Sequence, residues 1–393
     1  MRDIFAYTVV ALDIVLLLPV SYLLLLTLAG LFYRRSNLTS SVPASRFAVL
    51  VPAHNEEKLL PLLLESIRKT GYPEELLSVF VVADNCTDGT ASSVGEYRCT
   101  VFERQNDELI GKGYALEWLL DKISDRADEF DAYIFLDSDC EITPNFFSVM
   151  DTRFRSGDRA VQAYYTTANP TETWVSSLRH LALILMHHTR PGGREVLGLS
   201  CGIFGTGMAL HREVVQRFGW QTHGLAEDVE YFMQLVDSDI RVSYAREAEV
   251  LSAMPATLRA SRSQNERWEK GRLSVARRYF ASFVLGGLAS RSAMKFDAGL
   301  QQAIPPLSLV GLSSLVMLVV SLLADNALAA SLGIAAFAGL ALHVSVGILA
   351  ARPPLKVLLS VGYVPWYVLW KLALYARSLK PGKQEWVRTE RPD

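Results

Sequence analysis

The chain contains 393 residues, 50% of them hydrophobic and 20% charged, and its formal net charge is −2 at pH 7. This length accommodates one large domain or two smaller ones, and the apolar content is high for a soluble protein. Because 39 Lys and Arg residues nearly balance 41 Asp and Glu residues, charge gives no general attraction to nucleic acid, and we expect no nucleic-acid partner. The four cysteines form no Cys-x-x-Cys pair, so neither a zinc site nor a disulfide framework is predicted.

An uncharged apolar run near the start of the chain, residues 14–33, is long enough to cross a bilayer. A cleaved signal peptide is the alternative, but the length of the run, its nearly uncharged start and the poor cleavage site after it favour an anchor. We therefore assign residues 1–35 to an N-terminal transmembrane anchor. Arg34 and Arg35 predict that the C-terminal end of this anchor lies in the cytosol.

Residues 46–255 alternate short apolar runs with amphipathic stretches, and we assign them to one cytosolic domain. Strands are predicted at 47–51, 79–83, near 100–102 and at 133–136, and helices at 58–69 and from 111 onwards. Alternating strands and helices form right-handed crossovers around a mostly parallel sheet. The pattern predicts an α/β, Rossmann-like domain whose ligands bind at the carboxyl ends of the strands.

The last of these strands runs directly into two carboxylates, Asp137 and Asp139. Side chains alternate along extended backbone, so both carboxylates can point the same way, and a hard divalent cation would relieve their repulsion. The alternative is a surface turn whose acids cap the helix that begins near Pro144, and for an isolated Asp-x-Asp pattern this alternative is favoured. The choice between a metal site and a capping turn therefore depends on the other motifs of the chain.

Three more polar clusters follow predicted strands: residues 52–57, residues 84–90 and the Gly-Lys-Gly segment 111–113. Singly, each is explained by helix capping or turn formation, and the last lacks the full phosphate-loop pattern. Together they place acceptor groups for a nucleoside and a lysine along the same sheet edge as the acidic pair. This arrangement suits a nucleoside diphosphate bridged to a divalent ion.

Two clusters lie further along the domain. Residues 202–210 are rich in glycine before an apolar strand, which indicates either a close backbone approach to a ligand or a second strand, or a plain turn. Glu227 and Asp228 begin a predicted helix. The helix dipole alone would explain acids at that position, but they also provide a candidate general base.

The segment 256–297 is assigned to interfacial helices. On a helix, Gln264, Arg267 and Trp268 share one face and offer an amide, a fixed cation and an aromatic surface. Indole faces stack on sugars and guanidinium groups bind diphosphate bidentately. The alternative is an interfacial helix with Trp and Arg at the level of the lipid head groups.

The C-terminal segment, 298–377, is assigned to transmembrane or re-entrant elements. Uncharged runs at 298–324 and 326–351 predict two spans, and their lack of charge argues against a transporter. A third run, 357–370, has only 14 residues, which is typical of an interfacial or re-entrant segment. With two spans the basic tail, 378–393, returns to the cytosol, whereas a third span would place it outside. We expect a protein integral to the cytoplasmic (inner) membrane, in contact with membrane lipids.

Six motifs in this order make the chain resemble the membrane-bound family 2 glycosyltransferases, which include cellulose, hyaluronan, chitin-like and poly-N-acetylglucosamine synthases. The motifs are Pro-Ala-His-Asn-Glu-Glu at 52–57, Asp-Asn-Cys-Thr-Asp-Gly-Thr at 84–90, Gly-Lys-Gly at 111–113, Asp-Ser-Asp at 137–139, Glu-Asp at 227–228 and Gln-x-x-Arg-Trp at 264–268. The resemblance covers residues 47–272 and extends to the membrane layout. Any one motif is weak, whereas the ordered set is specific.

The resemblance implies a GT-A fold, a UDP-sugar donor and Mg²⁺ or Mn²⁺ as cofactor, held by Asp137 and Asp139. It implies that Asp228, with Glu227 beside it, is the base that deprotonates the acceptor hydroxyl. The donor-binding residues would be Pro52, Ala53, His54, Asn55, Glu56, Asp84, Asn85, Lys112, Asp137, Ser138 and Asp139. The acceptor and the leaving diphosphate would contact Gly205, Thr206, Gly207, Gln264, Arg267 and Trp268.

The chain departs from the family pattern at Ala226, where many relatives have Thr, and at Asn265 and Glu266, where basic residues are frequent. These departures leave the identity of the acceptor open. We expect a metal-dependent, inverting hexosyltransferase that extends a polysaccharide at the cytosolic membrane face. Transfer of a single sugar to a membrane lipid is the alternative. A non-catalytic membrane sensor of nucleotides is an alternative of another class, and the intact acids of the motifs argue against it.

Overall fold

The computed structural model describes residues 2–35 and 42–378. Its central element is a single sheet of eight strands in the order β3-β2-β1-β4-β7-β6-β8-β5. The strands are β1 (Phe47–Ala53), β2 (Leu77–Asp84), β3 (Thr100–Arg104), β4 (Ala132–Phe135), β5 (Cys140–Ile142), β6 (Ala160–Thr167), β7 (Met208–His211) and β8 (Val242–Ser252). The four strands expected in the first half of the domain are confirmed.

The sheet is mostly parallel, as predicted. Strands β1 to β4 pair in parallel, and so do β6 and β8, whereas β7 pairs antiparallel with both β4 and β6, and β5 pairs antiparallel with β8. The parallel half brings the carboxyl ends of β1, β2 and β4 to the same edge. This edge is where an open α/β sheet binds ligands.

Helices cover both faces of the sheet. The helices of this domain are α2 (Leu60–Arg68), α3 (Lys112–Lys122), α4 (Phe146–Arg155), α5 (Trp174–Leu183), α6 (Arg190–Val196), α7 (Arg212–Phe218) and α8 (Glu227–Asp237). Along β1, Ala48 and Leu50 belong to one apolar core, and Val49 and Val51 belong to the other. Because side chains alternate along a strand, a strand that is apolar at every position fits a sheet that is buried on both sides.

The remaining helices flank this domain in the sequence. They are α1 (Arg2–Gly30), α9 (Ser261–Ser290), α10 (Ala293–Ala303), α11 (Leu307–Leu323), α12 (Ala327–Ala351), α13 (Leu355–Leu359) and α14 (Val364–Ser378). Three helical segments within the described residues are long and apolar enough to cross a membrane: Asp3–Gly30, Ala327–Ala351 and Leu355–Arg377. The first two correspond to the predicted anchor and to the predicted span at 326–351.

The run at 298–324 differs from the single straight span that its length predicts. It folds as α10 and α11, which are bent by 73° at a short break. Pro305 and Pro306 occupy that break, and proline lacks the N–H that would continue a helix. The pair therefore forms either a broken span or a re-entrant loop.

The third C-terminal run also differs from its expectation. The helical segment Leu355–Arg377 has 23 residues and passes the same criteria as the other spans, whereas the uncharged run counted from the sequence has 14. The difference arises because helix extends on both sides of the run, past Lys356 and Lys371. This length admits a span as well as the expected interfacial or re-entrant segment. The predicted cytosolic tail, 378–393, lies outside the described residues apart from Ser378.

A buried ionic cluster joins α1 to the rest of the molecule. The Tyr22 hydroxyl of α1 donates to Asp297 Oδ1 of α10 at 2.6 Å. Arg194 of α6 donates from Nε to Asp297 Oδ2 at 2.9 Å and from Nη2 to the Tyr22 oxygen at 2.7 Å. The Arg194 and Asp297 side chains are 4% and 6% exposed. The cluster connects α6 of the sheet-containing domain to α1 and α10, which flank this domain in the sequence.

We expect Asp297→Ala to destabilise the protein by about 3–5 kcal/mol, because it leaves a buried guanidinium without its carboxylate. Thermal unfolding of the purified protein in detergent measures the effect. Lys295→Ala on the same helix is the matched control, since it removes an ion pair with Asp237 that is partly exposed and is expected to contribute less than about 1 kcal/mol. Equal melting temperatures for the two variants would contradict a stabilising role of the cluster.

Candidate active site

A cavity of about 1590 Å³ opens at the carboxyl edge of the parallel strands. Most residues predicted for the site line it. They are Pro52, Ala53, His54, Glu56, Asp84, Lys112, Asp137, Ser138, Asp139, Gly205, Glu227, Asp228, Gln264, Arg267 and Trp268. Four predicted residues do not line it: Asn55, Asn85, Thr206 and Gly207. The tertiary structure thus brings together residues from positions 52 to 268.

Asn55 and Asn85 shape the loops after β1 and β2. Both have left-handed backbone, with φ of 56° and 50°, a conformation that Asn tolerates better than most residues. The Asn55 side chain accepts a hydrogen bond from the Thr87 N–H at 2.7 Å. The Asn85 side chain accepts from the Asn106 N–H at 2.7 Å and donates to the Asn106 carbonyl at 3.0 Å. Within the described structure these two residues therefore hold loops together.

Asp84 forms a buried ion pair with Arg104, at 2.5 Å between Oδ1 and Nη1. Burial raises the pKa of the Asp84 carboxyl, while the Arg104 guanidinium lowers it. Arg104 also donates to the Leu109 carbonyl at 2.8 Å. Sequence reasoning missed Arg104, although its position at the end of β3, beside β2 in the sheet, was the available signal. The pair fixes the orientation of Asp84 at the cavity.

Lys112 connects two predicted motifs. Its ammonium group lies 2.5 Å from Asp137 Oδ1 and 2.5 Å from the Gly205 carbonyl oxygen. Lys112 stands at the start of α3, so the predicted helix opening at Gly111 is confirmed. Lys112 thus forms an ion pair with one member of the acidic pair, Asp137, at the same edge of the sheet.

The glycine-rich segment brings backbone close to its neighbours. A Cβ at Gly207 would lie 2.6 Å from Val250 Cγ2, and φ there is 69°, so only glycine fits without strain. The Thr206 hydroxyl accepts from the Asp137 N–H at 3.0 Å. Thus Gly207 serves the approach to a second strand, and Thr206 positions Asp137. Of the three residues predicted here, only Gly205 lines the cavity, together with its neighbours Ile203 and Phe204.

Glu227 and Asp228 form the first turn of α8 at the cavity wall. A helix N-terminus favours negative charge and would lower the pKa of both. Burial is the larger effect and raises the pKa of Asp228 to about 7, with a further increase from the Glu227 carboxylate and an opposing effect of Lys112. Burial likewise raises the pKa of Glu227.

A Cβ placed on Gly205 would lie 3.5 Å from Asp228 Oδ2 and 3.8 Å from Lys112 Nζ. Both side chains therefore pack against the same glycine. Through Lys112, this geometry links Asp228 to Asp137. The candidate base and the candidate metal pair thus belong to one site.

The last motif lies on α9, as predicted. Gln264, Arg267 and Trp268 all line the cavity, and the Gln264 Oε1 atom is buried without a hydrogen-bond partner in the described structure. The guanidinium of Arg179 lies 5.0 Å from the centre of the Trp268 ring, so one indole face is already covered. Sequence reasoning missed Arg179, which is 89 residues away along the chain.

The unusual residue Asn265 has a structural role. It accepts a hydrogen bond from Lys371 of α14 at 2.7 Å, and Lys371 also lies 3.2 Å from Glu269. These contacts hold the face of α9 against the last helix. Many relatives have a basic residue at this position of the motif. In this chain Lys371, from a helix distant in the sequence, places a positive charge beside Asn265 instead.

The acidic pair does not cap α4. That helix begins after Asn145, and no side-chain capping bond is present there, which removes the local alternative for Asp137 and Asp139. Both line the cavity. Within residues 2–35 and 42–378, no group of three or more His, Cys, Asp or Glu side chains could hold a metal ion. Two carboxylates fit a hard cation whose other ligands are phosphate oxygens and water.

Comparison with known proteins supports these features. The model of the family described as glycosyltransferase like family 2 matches residues 43–271. The "Probable glycosyltransferase YdaM" of Bacillus subtilis (strain 168) is 25% identical over 246 residues, which are 61% of this chain and 58% of that protein. The chain thus matches little more than half the length of this curated relative.

Among solved structures, the chain is similar to the "Mannosyltransferase PcManGT from Pyrobaculum calidifontis in complex with GDP-Man and Mn2+". The TM-score is 0.55 at 16% identity, and the match covers 93% of this chain and 99% of that one. At this identity the likeness concerns the fold, and it confirms the predicted GT-A-like architecture. Since the family model covers more than half of its residues, the chain belongs to the family 2 glycosyltransferases.

Proposed function

We propose that this protein is a membrane-embedded, metal-dependent inverting glycosyltransferase that uses a nucleoside diphosphate sugar, with UDP as the expected nucleotide. The observation that carries the proposal is the packing of Asp228 and Lys112 against Gly205, with Asp137 in contact with Lys112. A candidate base with a raised pKa thus adjoins a candidate diphosphate site. The structural relative solved with GDP-Man and Mn2+ supports a donor of this class.

In this proposal the donor lies along the carboxyl edge of the sheet. The nucleoside would contact Asp84, whose orientation is fixed by Arg104. Asp137 and Asp139 would hold Mg²⁺ or Mn²⁺, which when bound supplies positive charge to the diphosphate. Lys112 and Arg267 add cationic groups near the leaving diphosphate.

Asp228 would act on the acceptor. Its carboxylate takes the proton of an acceptor hydroxyl while that oxygen forms the bond to the anomeric carbon. The bond from that carbon to the donor phosphate breaks, and the nucleoside diphosphate leaves with the electron pair. Attack from the face opposite the leaving group inverts the configuration. Trp268 lines the cavity, and its indole is suited to hold the acceptor sugar or head group.

The first test of the proposal is nucleotide release by the purified full-length protein with a panel of UDP- and GDP-sugars, with and without Mn²⁺ or Mg²⁺. We expect metal-dependent turnover with one donor, and analysis of product size separates a polysaccharide ladder from a single lipid product. Tight nucleotide binding without turnover of any donor, in the presence of native membrane extract as the acceptor source, would favour the nucleotide sensor instead.

The pH dependence of transfer reports on Asp228. A base must be deprotonated, and its pKa is raised to about 7, so we expect the rate to fall about tenfold per pH unit below about pH 7. Glu227→Gln removes a neighbouring negative charge and is expected to lower the pKa of Asp228, which moves the midpoint to lower pH. Rate profiles for wild type and variant at saturating donor test this. An identical midpoint in both proteins would show that another group titrates.

A further inference from the structure

The cavity does not end at the catalytic domain. It continues between the membrane-region helices α11, α12 and α14, where its wall includes Leu312, Leu315, Leu340, Val344 and Val368. Polar acceptors such as a growing polysaccharide gain little from such a wall, whereas hydrocarbon chains are favoured in it. The continuous path joins an apolar compartment to the turn that carries Asp228.

One arginine of the cavity wall forms no ion pair with any residue that the structure describes. Arg190 lines the cavity, and its Nε atom is buried with no hydrogen-bond partner in the described structure. Nearby arginines are paired: Arg194 with Asp297 and Arg272 with Glu269. Burial lowers the pKa of Arg190 to about 10, so the side chain stays cationic at neutral pH. A buried cation without a partner is costly, and a bound anion would remove this cost.

The local backbone is consistent with a binding role for this arginine. Residues Ile184–Thr189 form a π-helical segment between α5 and α6, immediately before Arg190. Such segments are uncommon and frequently occur at functional sites. Here the segment contributes Met186 and His187 to the cavity wall. The irregular helical segment therefore lies directly before Arg190, the arginine without an ion pair among the described residues.

We propose that the acceptor is a membrane lipid in which a phosphate group separates the hydrocarbon tail from a hydroxyl-bearing head group. The tail would occupy the apolar part of the cavity, the phosphate would bind Arg190, and the hydroxyl would reach Asp228. This inference rests on the proposed function and specifies its acceptor. The transfer forms one bond from the hydroxyl oxygen to the anomeric carbon, passes the proton to Asp228 and releases the nucleoside diphosphate.

Two substitutions separate the contributions of phosphate and tail. Arg190→Ala removes the cation, and Arg190→Lys retains the charge as a control for folding. Gly311→Phe fills the apolar compartment, because Gly311 lines the cavity and a Cβ there has no neighbour within 4 Å. The matched controls are Arg277→Ala on exposed α9 surface and Leu323→Phe on α11, where the side chain is 77% exposed.

Native mass spectrometry of the full chain in detergent measures retention of three probes: phosphatidylglycerol, diacylglycerol without phosphate, and glycerol phosphate without a tail. We expect the wild type to retain phosphatidylglycerol best. Arg190→Ala should weaken this binding about 10- to 100-fold, the range for a hydrogen bond to a charged group. Gly311→Phe should also weaken it, whereas Arg190→Lys should lose less than Arg190→Ala and both control variants should match wild type.

Three outcomes would overturn the inference: equal retention of phosphatidylglycerol by Arg190→Ala and wild type, equal binding of diacylglycerol, or equal binding of glycerol phosphate, which would indicate a free phosphate site. Metal-dependent nucleotide release, with native membrane extract as the acceptor source, is measured on the same preparations. If release is normal and lipid selectivity is absent, the acceptor inference fails alone. If no donor is turned over by any sample, the proposed function fails while the lipid result stands by itself.

Discussion

Asp228→Asn is expected to reduce glycosyl transfer by about 10²–10⁴-fold, the usual contribution of a general base. The amide cannot take the proton of the acceptor hydroxyl, whereas its size is nearly that of the carboxylate. Affinity for the nucleotide should stay close to that of wild type, because the residues proposed to bind the nucleoside lie at the carboxyl ends of β1 and β2. Turnover rate and nucleotide affinity, measured on the same preparation, separate the two effects.

Glu230→Gln is the matched control for this variant. It lies on the same helix as Asp228 but does not line the cavity, so its turnover should equal that of wild type. Wild-type turnover by Asp228→Asn would exclude Asp228 as the base. If wild type and Asp228→Asn both bound nucleotide and neither transferred sugar, the alternative of a non-catalytic nucleotide sensor would gain support.

Asp139→Asn is expected to abolish metal-dependent donor binding, with a loss of about 100-fold or more in apparent metal affinity. Two carboxylates supply the protein's share of a divalent site, and an amide is a much weaker ligand for a hard cation. Asp139 is preferred to Asp137 for this test, because Asp137 also holds Lys112. Titration of Mn²⁺ in the presence of nucleotide, followed calorimetrically, gives the affinity.

Glu141→Gln controls for the change in charge near this pair, since Glu141 is exposed and does not line the cavity. We expect its Mn²⁺ titration to match that of wild type. A normal titration for Asp139→Asn would show that the acidic pair does not hold the metal, and the ligands would have to be sought elsewhere in the cavity. An equal loss in both variants would indicate a general effect of charge.

Local pattern predicted the catalytic domain closely. The apolar runs around β1 and β4 specify buried strands because every position is covered on one face or the other. The positions of the acidic and cationic motifs follow, since side chains at the ends of parallel strands share one sheet edge. Residues 227, 228, 264, 267 and 268 also reached the cavity as expected.

Partners from distant segments escaped the prediction. Arg104, Arg179 and Lys371 each contact a motif residue from another element. No local pattern distinguishes Arg179 and Lys371 from other basic residues, whereas the position of Arg104 at the end of β3, beside β2, was an available signal. Asn55 and Asn85 do not line the cavity, and their side chains hold loops together through hydrogen bonds that form only in the folded turn. Their contact with the donor stays a prediction.

The sequence by itself determined the strand and helix order, the motifs at the sheet edge and the apolar segments at both ends, because these depend on hydrophobic period and turn chemistry along the chain. The tertiary structure alone decided the Asp228 environment and the exposure of Arg190 to an apolar cavity. Burial and ionic pairing arise between segments that are not neighbours in the sequence, and both change the free energy of charged groups. These properties therefore cannot be read from neighbouring residues.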